Sequence, residues 1–346
     1  MNAYRRIFFP ALKHLDAERA HEWTVSMLAL AQGNSAGRAT LRALAGDIPA
    51  RPVRLWGLTF PNVVGVAAGF DKDVRVAVGL AELGFGHVEV GTLTPLPQAG
   101  NPHPRIFRLP QDGALINRMG FPNKGAFRAI RRLERLKNRT FVLGISLGKQ
   151  KDTPLSEAVY DYLSVMETVY PYADYLAVNI SSPNTPGLRE LQRTAYLNDL
   201  LEQLQAENAR LSGANGPCPL LVKVAPDIDE GGLESIIHAA EAYGVNGIIA
   251  ANTTINRAGL ASKNRNESGG LSGKPLREAS LRLVGTIRKM SDLTIIGVGG
   301  IFDGNDAQAY LDAGASLVQL YTGMVYEGPG IAGRILRHLD QHTTTS

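Results

Sequence analysis

Residues 63–72 read Val-Val-Gly-Val-Ala-Ala-Gly-Phe-Asp-Lys, a short β-rich apolar run that stops at a turn carrying an acid and a base. Seven further runs of this kind follow, at 87–90, 141–145, 175–179, 220–224, 247–251, 294–298 and 317–320. Between them lie stretches with helical spacing of apolar residues, at 74–83, 126–136, 155–169, 191–211, 232–242 and 276–290. Eight strands alternating with helices is the pattern of a closed (β/α)8 barrel of the α/β class. An open doubly wound sheet would place a Gly-x-Gly-x-x-Gly turn after its first strand, and the turn at 67–72 has no such spacing.

In such barrels the functional groups sit just past the strand C-termini. Those positions are polar here: Asp71 and Lys72, Thr92, Ser146, Asn179 and Ser182, Lys223, Asn252 and Thr253, Gly299 and Gly300, Tyr321 and Thr322. The last two strands end in Gly-Val-Gly-Gly (297–300) and Tyr-Thr-Gly (321–323). Glycine lets backbone amides approach an anion closely, and a helix starting near Asp303 offers a positive dipole end, so a phosphate is expected there. Lys223 interrupts the apolar run Leu-Leu-Val-Lys-Val (220–224). It must face the barrel mouth or lie unpaired in a core, and unpaired burial is costly. A Schiff base with a carbonyl substrate, as in an aldolase or isomerase, and stabilisation of a ligand's negative charge both suit it.

The segment 179–189, Asn-Ile-Ser-Ser-Pro-Asn-Thr-Pro-Gly-Leu-Arg, combines two prolines and a glycine with a dense set of hydroxyls and amides. A rigid polar loop at a strand exit is a place for chemistry. Asn117, Asn179, Asn184 and Asn252 suit a flat heterocycle with alternating carbonyl and N–H groups, because each amide both donates and accepts.

The chain has 346 residues, 44% hydrophobic and 20% charged, the balance of a globular protein with a sizeable core. Cys218 is the only cysteine, so neither a disulfide framework nor a cysteine metal cluster is expected, and no metal site is assigned. Net charge is +4 from 36 basic and 32 acidic side chains. Residues 1–54 hold eight basic and four acidic ones, which leaves 28 of each elsewhere. The excess charge therefore sits at the N-terminus, where a membrane surface suits it better than nucleic acid. No run reaches the roughly 18 apolar residues of a membrane span. Residues 1–45 read as two short helices. Ile7, Phe8, Ala11, Leu12 and Leu15 mark an apolar face on the first; Asp16 caps the second, which 33–35 (Gly-Asn-Ser) ends. Packing on the main domain and contact with lipid are both open to this pair.

Particular stretches carry a resemblance: 67–72 (AAGFDK), 91–95 (GTLTP), 101–109 (NPHPRIFRL), 117–121 (NRMGF), 148–153 (GKQKDT), 179–189 (NISSPNTPGLR), 269–273 (GGLSG) and 296–300 (IGVGG). In these the chain resembles the dihydroorotate dehydrogenases, specifically the membrane-associated, quinone-using class 2 enzymes, along nearly its whole length. The resemblance implies FMN as the phosphate-bearing cofactor and oxidation of dihydroorotate to orotate in pyrimidine biosynthesis. It implies Ser182 as the base where the soluble class, which uses another electron acceptor, has cysteine. Substrate contacts would be Lys72, Asn117, Arg118, Met119, Gly120, Phe121, Asn179, Asn184, Asn252 and Thr253. FMN contacts would be Ala68, Gly69, Phe70, Asp71, Lys72, Thr92, Ser146, Asn179, Lys223, Ala251, Gly273, Gly300, Tyr321 and Thr322. Family members commonly have asparagine at the place of Ser146 and threonine at that of Ala251; the alanine can make no side-chain hydrogen bond. Lys223 then stabilises negative charge on the reduced flavin, which removes the Schiff-base option. Residues 1–45 would form a quinone tunnel with His21 and Arg108 at the quinone head, and 46–346 the catalytic barrel. A monomer bound peripherally to the cytoplasmic face of the inner membrane is expected.

Overall fold

The computed structural model describes Tyr4, Arg6, Phe9 and residues 15–343 other than Asn215. The apolar face expected at Ile7, Phe8, Ala11 and Leu12 lies outside those residues.

In chain order the strands are β1 (Val53–Leu55), β2 (Leu58–Phe60), β3 (Val64–Val66), β4 (His87–Leu93), β5 (Ile106–Leu109), β6 (Ala114–Asn117), β7 (Val142–Leu147), β8 (Tyr175–Asn179), β9 (Leu220–Val224), β10 (Gly247–Ala250), β11 (Gly270–Gly273), β12 (Thr294–Val298) and β13 (Leu317–Leu320). Eight of them close a parallel barrel in the order β3-β4-β7-β8-β9-β10-β12-β13, the last pairing with the first through Val318 and Val64. These are the eight runs expected from sequence. Helices cover the outside, so each strand is buried on both faces and its sequence is nearly continuous apolar residues.

The two-residue period of a strand divides those residues between two cores. In β9, Leu220, Val222 and Val224 join the layer between strands and helices, whereas Leu221 packs in the barrel interior. Lys223 is in phase with Leu221 and therefore points inward. The same phase turns His87 and Glu89 of β4, Tyr175 of β8 and Gln319 of β13 into the barrel, and all four are buried. Room for two of them comes from glycine. A Cβ on Gly65 would stand 2.2 Å from the His87 ring, and one on Gly144 would stand 2.1 Å from the Tyr175 ring.

The β1–β2 hairpin plugs the bottom of the barrel with Phe60. Its two-residue turn, Trp56-Gly57, has φ of 55° and 76°, which suits the glycine and strains the tryptophan. Trp56 is held there by ring contacts with Phe60 and Tyr175 and by a hydrogen bond from its Nε1 to Asn246 O at 3.1 Å.

At the N-terminus, helix α1 (Ala17–Gln32) is capped by Asp16, whose carboxylate accepts from the N–H groups of Glu18 and Arg19. The break at 33–35 ends α1 and also starts a second helix, α2 (Ser35–Ala45), because the Asn34 side chain caps it through Gly37 N. The helix pair in the described residues is thus 17–32 and 35–45. Asn34, a terminator by sequence, is therefore an N-cap as well. Over the upper mouth of the barrel, β5, β6 and β11 form a three-stranded antiparallel sheet that the alternating pattern did not anticipate.

Candidate active site

At the C-terminal ends of the barrel strands, under the sheet β5-β6-β11, lies a cleft with about 1140 Å³ of space, its open mouth included. One side of it is built from amides and hydroxyls. Asn117 ends β6, and its Oδ1 accepts from Asn184 Nδ2 at 3.1 Å. Asn179 ends β8; its Nδ2 donates to Thr92 Oγ1 at 2.9 Å, and its Oδ1 accepts from Asn252 Nδ2 at 3.3 Å. Asn252 also donates to Ser181 Oγ at 3.0 Å. Four chain segments far apart in sequence are thereby locked into one polar wall.

The adjacent serines separate here. Ser181 is spent on Asn252 and Asn179. Ser182 lines the cleft, and among the described residues its Oγ is bonded only by the N–H of Asn184, at 3.3 Å. Its loop is clipped down by Arg189. That guanidinium donates to Ser181 O at 3.1 Å and Thr253 O at 2.9 Å, and it pairs with Asp227 at 2.9 Å. Asp227 in turn holds the Thr254 hydroxyl and Ile255 N. Arg189 and Asp227 therefore tie the exits of β8, β9 and β10 together. Asp227 was not singled out from sequence, because its partners lie 27 residues or more away.

The floor of the cleft is Lys223. Its Nζ lies 3.3 Å from Glu89 Oε1, both side chains being almost wholly buried. The other Glu89 oxygen accepts from Tyr175 Oη at 3.1 Å and Gln319 Nε2 at 3.0 Å. Burial first, and then the Glu89 carboxylate beside it, hold the Tyr175 phenol well above its ordinary pKa, so it stays a donor. The Gln319 Oε1 atom is buried without a partner among the described residues, and Gln319 lines the cleft. Thr253 Oγ1, also on the cleft wall, is likewise unpartnered.

The far end is a glycine cradle at Gly273, Gly299, Gly300 and Gly323. A Cβ on Gly323 would stand 2.0 Å from Ile301 O, and Gly299 has φ 132°, so larger residues do not fit. The short helix Thr322–Glu327 that follows β13 starts without a side-chain cap, which leaves its first N–H groups for another acceptor. Exposed amides after the seventh and eighth strands, beside an extra helix, form the usual phosphate site of these barrels. A cradle closed to Cβ atoms, together with an orphaned amide oxygen and a lysine on the floor, fits a phosphorylated flat heterocycle.

Lys72 lines the near wall. Neither of its acidic neighbours holds it. Asp71 is buried and accepts from Arg75 N at 2.6 Å and Val76 N at 2.8 Å, which fixes a turn where Val74 has φ 58°. Asp73 accepts from Lys124 N. Lys72 Nζ instead meets His21 Nε2 of α1 at 3.0 Å.

Of the sequence-derived substrate residues, Lys72, Asn117, Met119, Gly120, Phe121, Asn179, Asn184, Asn252 and Thr253 line this cleft together with Ser182. Arg118 does not: its guanidinium turns outward to Glu267 at 2.7 Å and over the Phe107 ring. Of the cofactor residues, Ala68, Gly69, Thr92, Lys223, Ala251, Gly273, Gly300, Tyr321 and Thr322 line it. Three do not. Phe70 packs between the His21 and Tyr321 rings, Asp71 is consumed by the turn, and Ser146 is fully buried against Thr92 Oγ1 at 2.9 Å. The quinone candidates are also outside it. Arg108 donates to Leu15 O at 2.7 Å, and His21 lines a second, polar cavity beneath α1.

The family model for dihydroorotate dehydrogenase matches residues 52–342. A dihydroorotate dehydrogenase (quinone) of Thiobacillus denitrificans is 48% identical over 336 residues, covering 96% of this chain and 98% of its own. One from Chloroflexus aurantiacus is 48% identical over 339 residues, covering 95% and 93%. Among solved structures, DHODH of Eimeria tenella in complex with ferulenol superposes with a TM-score of 0.88 at 37% identity, over 95% of this chain and 92% of that one. A ligand-free form from the same organism gives 0.81 at 39% identity, over 89% and 94%.

Proposed function

The chain belongs to the dihydroorotate dehydrogenase family, and from that premise we propose how its residues divide the work. The protein is an oxidoreductase that converts dihydroorotate to orotate in pyrimidine biosynthesis with a quinone as electron acceptor, through a flavin. The flavin we assign is FMN, on the strength of the glycine cradle, which suits one terminal phosphate. When bound, a flavin would supply the redox chemistry, as hydride acceptor for the substrate and electron source for quinone.

The chain's own groups do the rest. Lys72 Nζ meets the substrate carboxylate, and the amides of Asn117, Asn179, Asn184 and Asn252 match the ring's carbonyl and N–H edges. Ser182 Oγ takes the proton from the carbon next to the carboxamide as its own hydroxyl proton passes to a water at the open mouth of the cleft. Lys223, oriented by Glu89, supplies positive charge under the flavin's pyrimidine edge. The observation that carries this reading is the meeting of Ser182, four asparagines and two lysines in one cleft beside the glycine cradle.

We assign residues 17–45 to the membrane side. Leu15, Trp23, Met27, Leu30 and Leu44 are all exposed, Trp23 at 56% and Leu30 at 68%, as expected of a face that lies in lipid headgroups. No described helix is long and apolar enough to cross a membrane. A quinone held by this helix pair reaches the cleft past Phe70 and Tyr321, whose ring centroids are 5.9 Å apart. The chain works as a monomer at the cytoplasmic face of the inner membrane. The test is the anaerobic spectrum: the purified protein is yellow, dihydroorotate bleaches it, and added quinone restores the colour. A protein whose released cofactor is not FMN, or that fails to bleach, would overturn the reading.

A further inference from the structure

The contact between α1 and Lys72 has a chemistry of its own. An ammonium has no acceptor, so in the 3.0 Å contact Lys72 donates and His21 Nε2 accepts. The imidazole is therefore neutral, with its proton on Nδ1. Burial first, and then the charges of Lys72 and Arg75, hold its pKa well below the ordinary histidine value. His21 is aimed by the edge of its ring against Phe70, 5.1 Å between centroids and 86° apart. Its helix is pinned around that point by Glu22–Arg75 at 2.8 Å, Glu18–Arg105 at 2.7 Å, and Gln32, which bonds Arg75 O and Gly79 N. Lys72, Met119 and Pro122 form the wall shared by the central cleft and the cavity under α1.

We propose that His21 is a positioning residue for Lys72, so that the N-terminal helix completes the substrate-carboxylate site. The logic lies in the kind of acceptor. A carboxylate holding Lys72 would orient it but neutralise it. A neutral imidazole orients it and leaves the full charge, with two N–H donors, for an anionic ligand. The acids around Lys72 are withdrawn from that task, Glu22 by Arg75, Glu18 by Arg105, Asp71 by Arg75 N and Val76 N, and Asp73 by Lys124 N. Removing the acceptor leaves a long side chain to be immobilised when ligand binds, worth about three- to tenfold in affinity. This proposal rests on Lys72 as the carboxylate partner.

The experiment is calorimetric titration of the flavin-loaded protein with orotate, using wild type and Lys72→Met, His21→Phe and His21→Gln variants. Anaerobic bleaching by dihydroorotate at varied concentration accompanies it. His21→Phe keeps the ring against Phe70 and loses the acceptor, whereas His21→Gln keeps an acceptor. Expected are orotate binding three- to tenfold weaker in His21→Phe, a matching rise in the half-saturating dihydroorotate concentration, and a limiting bleaching rate within twofold of wild type. His21→Gln recovers most of the affinity. Wild-type orotate affinity in His21→Phe, while Lys72→Met has lost it, would refute the positioning role alone. His21→Gln as weak as His21→Phe would refute it too, since packing would then be the cause. Undiminished binding by Lys72→Met would remove the carboxylate assignment, and this proposal with it.

Discussion

Replacing Glu89 by glutamine isolates the charge buried beneath the active site. Glu89 has no exposed surface, and its partner Lys223 is 6% exposed at an N–O distance of 3.3 Å. At an effective dielectric of 20, two unit charges at that separation attract by about 5 kcal/mol. Once the carboxylate is gone, Lys223 can stay charged without a partner, a loss of about 3–5 kcal/mol for a buried pair. The expected destabilisation is therefore about 3–5 kcal/mol. Urea unfolding followed by circular dichroism at pH 7 measures it. The double variant Glu89→Gln, Lys223→Met removes both charges and should recover more than half of the loss. A single-variant cost below about 1 kcal/mol, or a double variant whose cost equals the two single losses combined, would refute the coupled pair.

Four further outcomes are expected. Ser182→Ala should keep its flavin and slow bleaching by dihydroorotate by about 10²–10⁴, the usual range for a proton-transfer group; near-normal bleaching in stopped flow would remove Ser182 as base. Lys72 has its pKa lowered to about 8, by burial first and then Arg105, against the opposing charges of Glu22, Glu18 and Asp71. It is charged below that pH, so kcat/KM for dihydroorotate should be level up to about pH 8 and fall tenfold per unit above it. A profile flat to pH 9.5, or one that Lys72→Arg leaves unmoved, would contradict this. Trp23→Glu with Leu30→Glu should abolish sedimentation with anionic lipid vesicles while leaving reduction of a short-chain soluble quinone within about twofold; undiminished sedimentation would move the lipid face elsewhere. Arg189→Ala, which frees the Ser182 loop from the exits of β9 and β10, should lower the limiting bleaching rate about tenfold or more, on the scale of a lost charged hydrogen bond; an unchanged rate would make the Arg189–Asp227 clip ornamental.

The barrel was readable because its strands are buried on both sides, and near-continuous apolar runs such as 220–224 survive any local noise. The cover was not. Strand β5 lies within NPHPRIFRL, and β11 is Gly-Leu-Ser-Gly; neither has an alternating or continuous apolar signature. These strands exist because β6 pairs with both, with Asn117 set against Ile106 on one side and Gly270 on the other. The second N-terminal helix was missed for a different reason. Asn34 and Ser35 are good terminators and equally good starters, and Ala-Gly-Arg-Ala-Thr lacks the apolar stripe that would break the tie.

The site divides along a similar line. Strand phase alone places Lys223, Asn179 and Gln319, since two residues either way along a strand share a face. Phase says nothing about a side chain's partner, and partners decided every departure: Arg118 went to Glu267, Asp71 to its own turn, Ser146 to Thr92. His21 is the strongest case. The sequence offers it as a quinone contact, and its partner Lys72 lies 51 residues away. A charged lysine that is to bind an anion is best oriented by a neutral acceptor, and the nearby acids are committed elsewhere, Glu18 and Glu22 to arginines and Asp71 and Asp73 to backbone N–H groups. Of the elements packed on that turn, α1 presents the imidazole, so the helix proposed for the membrane side also touches the lysine proposed for the substrate.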